Sequence, residues 1–160
     1  MAQGSDVGGL YDDDVLLWSE RQAALLLRRA AGELVNDAEF DWRNIAEEIE
    51  SVGISERRAL ASHIRNILEH LIKLEASPAS MPRAGWRATI ARSRLDVAGL
   101  LRQSPSLEPG LDAVIAGELA GARSIAAIAL AEYGEAPRAP IEGLHYSRAQ
   151  VMEMWFPAGG

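Results

Sequence analysis

Apolar side chains recur at helical spacing along most of the chain, and no stretch alternates with the period of two that a half-buried strand requires. The pattern predicts a first helix from about Asp13–Asp14, whose carboxylates suit capping and the positive end of the helix dipole, to a stop at Gly32. Its apolar stripe would be Leu16, Leu17, Ala24, Leu25, Leu26 and Leu27. Asp41 is placed to cap a second helix over 42–52, in which Ile45, Ile49 and Val52 repeat at 3.6-residue spacing. Gly53 and Ser55 either break that helix or interrupt a longer one. From Glu56 to Glu75 the pattern is strongly helical, with Leu60, Ile64, Ile67, Leu68, Leu71 and Leu74 within one face.

Punctuation completes the outline. Residues 77–85 hold two prolines and a glycine and read as a loop, after which Trp86, Ile90, Val97, Leu100 and Leu101 mark another helix. Ser104-Pro105-Ser106 precedes a long alanine-rich helix over 107–133, with Gly117, Gly121, Ala122 and Ala126 small enough for close helix approach. Residues 134–146 are irregular, and Ser147 can cap a short last helix. The fold class is therefore all-α: a bundle of about five helices over 11–133, a flexible tail over 1–10 and an irregular C-terminal extension over 134–160.

Composition narrows the chemistry. The chain has 160 residues, a single-domain length, and no cysteine, which excludes disulfides, thiolate metal sites and cysteine nucleophiles. Its formal charge of −7 argues against general nucleic-acid binding by counterion release. The charge is uneven: residues 1–56 carry 13 acids against 4 bases, while 83–102 hold five arginines and only Asp96. Met1 to Leu10 lacks the basic and apolar regions of a signal peptide, and no apolar run approaches the ~18 residues of a membrane span. A soluble, cytoplasmic protein with no membrane partner is the expectation.

Few residues offer chemistry. His63 and His70 lie seven apart on one helix, about 10 Å along the axis, too far to share a metal on their own. Glu142 and His145 make a single Glu-x-x-His without the duplicate that di-iron bundles use. Glu47 and Glu50 fall on a solvated face. Glu48, at the edge of its apolar stripe, and Glu118, in the middle of its own, each need a partner. Glu48, Glu118 and His70 (or His145) form a candidate buried polar site if the bundle brings them together; otherwise each is paired structurally. Arg83, Trp86, Arg87 and Arg94 share one helix face and form a candidate interaction or anion-binding patch. The competing reading makes Trp86 a core anchor and sets the arginines against the acids of 39–50. No nucleophile elbow, Walker loop or dinucleotide fingerprint occurs. No cofactor and no metal are assigned, and the sequence leans away from an enzyme.

One string is distinctive. Phe40-Asp41-Trp42-Arg43-Asn44-Ile45-Ala46-Glu47-Glu48-Ile49-Glu50-Ser51-Val52-Gly53, followed by Ser55-Glu56-Arg57-Arg58, resembles the bacterial family named for domain of unknown function 29. Tyr11, Asp12, Asp14 and Trp18 extend the resemblance backward; His70-Leu71-Ile72-Lys73, Gly85-Trp86-Arg87-Ala88-Thr89-Ile90 and Ser104-Pro105-Ser106-Leu107 extend it forward. It runs from about residue 11 to about 130, and the C-terminal part departs from the usual family ending. The resemblance implies a helical bacterial domain without an established reaction. The functional expectation is a small helical protein-interaction module, adaptor or regulatory, binding itself or another protein. The alternatives are a metal- or small-ligand-binding bundle, possibly hydrolytic, and nucleic-acid binding through 83–102.

Overall fold

The computed structural model describes residues 7–158. Six α-helices joined by short 3-10 turns account for the regular structure of these residues, with no strand among them. The chain divides into two compact units, Met1–Ile54 and Ser55–Gly160.

The first unit comprises α1 (Val7–Asp13), α2 (Val15–Ala30), a 3-10 turn at Asp37–Glu39 and the opening turns of α3 (Trp42–Ala76). Helix therefore starts earlier than the tail read from sequence, of which residues 1–6 lie outside the described residues. Tyr11 accounts for the early start: its ring meets Trp18 edge-on at 4.8 Å, and its hydroxyl is bonded further along the unit. Asp14 caps α2, accepting from the Leu17 amide at 2.9 Å. Gly32, at φ 85°, provides the left-handed turn that ends it. Asp41 accepts from the Asn44 amide at 3.4 Å at the start of α3.

Helix α2 does not bury the stripe expected of it. Its buried residues are Trp18, Gln22 and Leu25, spaced i, i+4, i+7 on the opposite side from Leu16 and Leu27. Gln22 explains the choice. Its amide donates to the Glu39 carbonyl at 3.3 Å and accepts from the Asp41 amide at 3.0 Å, tying α2 to the turn beyond it. Leu25 then joins Val35, Phe40 and the half-buried Ile45 in a small core. Gly53 and Ser55 do not break α3, yet Ile49 and Val52 stand exposed rather than forming a buried stripe.

The second unit is built around α3 from Leu60 onward. Leu60, Ile64, Ile67, Leu68, Leu71, Ile72 and Leu74 are fully buried, on more than one side of the helix, so this segment is a central element rather than a surface one. Helix α4 (Arg83–Gln103) contributes Ile90 and Val97. Helix α5 (Leu111–Glu132) contributes Leu111, Ile115, Ala122, Ala126 and Leu130. It begins later than the sequence pattern suggests, because Pro105 and Pro109 hold residues 105–110 in a 3-10 turn. Residues 134–158 are more than an appendage: Ile141, Tyr146 and Val151, the last in α6 (Arg148–Met152), enter the same core.

One expectation needs correction. Residues 105–132 do include a window long and apolar enough to cross a membrane, with mean hydropathy 1.6. The charges at Asp112, Glu118 and Arg123 break every continuous apolar run, but between them alanine, leucine and isoleucine keep the average high. The match is one of length and composition only, and α5 places five side chains in the core.

Burial predicts where truncation hurts. Ile67→Ala should lower stability in urea unfolding by about 2–5 kcal/mol, the cost of a cavity in a close-packed core. Leu27→Ala should stay within about 0.5 kcal/mol of the parent.

Candidate functional site

The four residues of the Trp86–arginine group do not remain one exposed patch. Arg83, the first residue of α4, turns back to the end of α3: its guanidinium donates to the carbonyls of Leu74, Ser77 and Ala79. Burial, with Arg138 and Arg87 nearby, lowers its pKa. Arg94 is 6% exposed and donates to the carbonyls of Val151, Gln150 and Trp155 at 2.8–2.9 Å. It also lies 5.2 Å from the centre of the Phe156 ring, and desolvation lowers its pKa. Arg87 alone is exposed, 5.6 Å from the same ring. A guanidinium fork matches the unbonded carbonyls at a helix end. Trp86 packs against the core and walls a cavity of about 390 Å³ with Lys73, Leu130, Tyr133 and Glu135.

Each residue of the polar trio has a partner within its own unit. Glu48, in the first unit, accepts from the Tyr11 hydroxyl at 2.6 Å, a bond that also raises the tyrosine pKa. His70 donates from Nδ1 to the Asn66 carbonyl at 2.8 Å. Glu118 pairs with Arg65 at 2.6 Å. His145 is exposed and contacts Arg123 and the Gly143 carbonyl. No group of three or more histidine, aspartate or glutamate side chains among the described residues is arranged to hold a metal.

What sequence reasoning missed is the outer surface of the first unit. Among the described residues, this unit buries four hydrophobic side chains (Trp18, Leu25, Val35, Phe40) and exposes ten large ones. Five of the ten lie on α2: Val15, Leu16, Leu17, Leu26 and Leu27, with Leu16 at 67% and Leu27 at 71% exposure. Leu16, Ala23 and Leu27 fall within about 40° on the helical wheel and form a seam of four-three spacing, in which Glu20 occupies the remaining position. The two clusters Val15–Leu17 and Leu25–Leu27 were the available signal, since a 16-residue helix with apolar residues on both sides cannot bury them all against one small core.

A family model described as domain of unknown function DUF29 matches residues 10–156. The chain belongs to the DUF29 family. The DUF29 match takes in the C-terminal segment that the sequence resemblance had left outside, in keeping with its place in the second core. The residues that carried the resemblance near the N-terminus meet one another: Tyr11 bonds Glu48, Trp18 Nε1 donates to Asp41 at 3.1 Å, and Asn44 donates to the same carboxylate at 2.7 Å. In this DUF29 chain they form the polar frame of the first unit. Comparison with curated proteins and with solved structures returns no match.

Two outcomes test this account of the second unit. Arg94→Ala removes three carbonyl contacts and should expose 148–158 to limited proteolysis before the core is cut. The Tyr146 hydroxyl donates to Glu75 at 2.8 Å, and burial followed by that bond pushes its pKa far above the usual tyrosine range. The folded protein keeps this proton where the unfolded chain loses it. The contribution is therefore intact below about pH 10 and falls by up to about 1.4 kcal/mol per pH unit above it. Urea unfolding between about pH 9 and 11 should show a steeper fall in the parent than in Tyr146→Phe, in which the raised Tyr11 remains.

Proposed function

We propose that this DUF29 chain is a protein-interaction module that docks its partner on the apolar outer face of the first unit, chiefly on α2. One observation carries the reading: among its described residues, this unit exposes ten large hydrophobic side chains while burying four. Soluble surfaces scatter single leucines, but a short helix with five large apolar residues in water marks a surface made to be covered. Covering Leu16 and Leu27 alone would supply about 1.5–3 kcal/mol for each side chain.

The unit is also held in a manner that suits a docking face. Its small core is supplemented by the side-chain bonds of Tyr11, Trp18 and Gln22 to the start of α3 and the turn before it, so the frame does not draw on the outer leucines. The Trp86–arginine group supports an interaction less well, because Arg83 and Arg94 are engaged with backbone carbonyls.

Hydroxyl-radical footprinting of the free chain tests the reading. Leu16, Leu27, Ile49 and Val52 should oxidise readily, while Ile64, Ile67 and Leu68 stay protected. Protection of the α2 leucines in the free chain would mean that the face is already covered, and the docking role would fall.

A further inference from the structure

The α2 seam carries a charge that selects what covers it. Glu20 sits between Leu16 and Ala23 on the exposed face, about 40° from Leu16 on the wheel, while Arg21, Arg28 and Arg29 lie more than about 100° away from Leu16. Arg28 and Arg29 are already paired within the unit, with Glu33 at 2.7 Å and Asp37 at 3.5 Å, and Arg43 pairs with Glu47 at 3.0 Å. The sequence of this unit, residues 1–54, contains 12 acids against 4 arginines. The field left to an incoming partner is that of the carboxylates.

Resting on the docking role proposed above, we infer that the α2 seam binds a cationic amphipathic helix of a partner protein. The partner's apolar residues, at i, i+3 or i+4 and i+7, would pack on Leu16, Ala23 and Leu27, and a lysine or arginine of that helix would meet Glu20. Ala23 lets the two helices approach closely at the centre of the seam. The 16 residues of α2 extend about 24 Å, so a partner helix of four to five turns matches it. A second copy of this chain fits poorly. In a parallel pair the two Glu20 carboxylates face each other, and in an antiparallel pair that stacks Leu16 on Leu27 they lie about 5 Å apart along the axis. Arg28 and Arg29, which could have relieved that repulsion, are occupied.

Fluorescence anisotropy with a labelled leucine–lysine amphipathic peptide of about 18 residues, against the full chain, tests this inference. A leucine–glutamate peptide of the same pattern is the control. The lysine peptide should bind and the glutamate peptide should not. Glu20→Lys should weaken binding about tenfold, and Glu20→Gln less. Leu16→Gln combined with Leu27→Gln should also weaken it about tenfold or more at unchanged net charge. Far-UV circular dichroism establishes that each variant is folded, as expected for exposed positions. Equal binding by the parent and the double leucine variant would reduce the effect to unspecific charge attraction and overturn the inference. So would binding of the glutamate peptide, absence of binding, or a dimer in sedimentation that the leucine variant converts to monomer. Footprinting separates the two levels. A seam already protected in the monomeric chain removes the docking role itself, whereas an open seam that rejects the lysine peptide removes only the cationic partner.

Discussion

The second unit depends on a constraint at the end of α3. A helix leaves its last carbonyls without intrahelical donors, and here those carbonyls sit beside Leu74, Ala76 and Ser77, which water scarcely reaches. Donors must come from elsewhere in the fold. Arg83 serves Leu74 and Ser77, and the Arg138 amide serves the Ala76 carbonyl at 2.7 Å. Arg83 comes from the start of α4 and Arg138 from the segment after α5, so satisfying one helix end fixes two later parts of the chain. Ser77, itself fully buried, adds a bond to Glu135. The loop at 77–82 and the irregular stretch at 134–140 are thereby fixed by polar need as much as by apolar contact.

The first unit solves the opposite problem. It has too few buried side chains to define its own geometry, and polar bonds do much of the positioning. Asp41 receives both Trp18 and Asn44, while its amide donates to Gln22. Such bonds are directional, so they orient α2 without consuming its leucines. The result is a helix whose best apolar seam faces water, which is unfavourable for an isolated chain and useful for one that meets a partner.

Much of the fold was legible because helical periodicity is strong where burial is strong. Leu60 to Leu74, Ile90 with Val97, and the break at Ser104–Pro105 all behave as their spacing dictates. The orientation of α2 was not legible. Two apolar clusters compete there, and the decision rests on Gln22, whose bonding partners are 17 and 19 residues away. The arginine group was hard to read for a related reason: a wheel shows that Arg83, Arg87 and Arg94 share a face, but not that carbonyls at the end of α3 meet Arg83 and those of the C-terminal segment meet Arg94. Glu118 pairing with Arg65 over 53 residues is likewise a tertiary fact that spacing does not encode.

The attachment of the C-terminal segment has a further consequence. Arg94 binds three of its carbonyls, Arg123 binds the Leu144 carbonyl at 2.7 Å, and Arg138 binds Pro78 at 2.7 Å. Each of these bonds ends on a neutral peptide carbonyl, and Arg94 makes its three where water scarcely reaches. The ion pairs of Arg148 with Glu108 and Asp112, by contrast, lie in water, where dissolved salt screens them. Raising the ionic strength therefore strips the segment of its outer charged contacts while leaving its inner straps fastened.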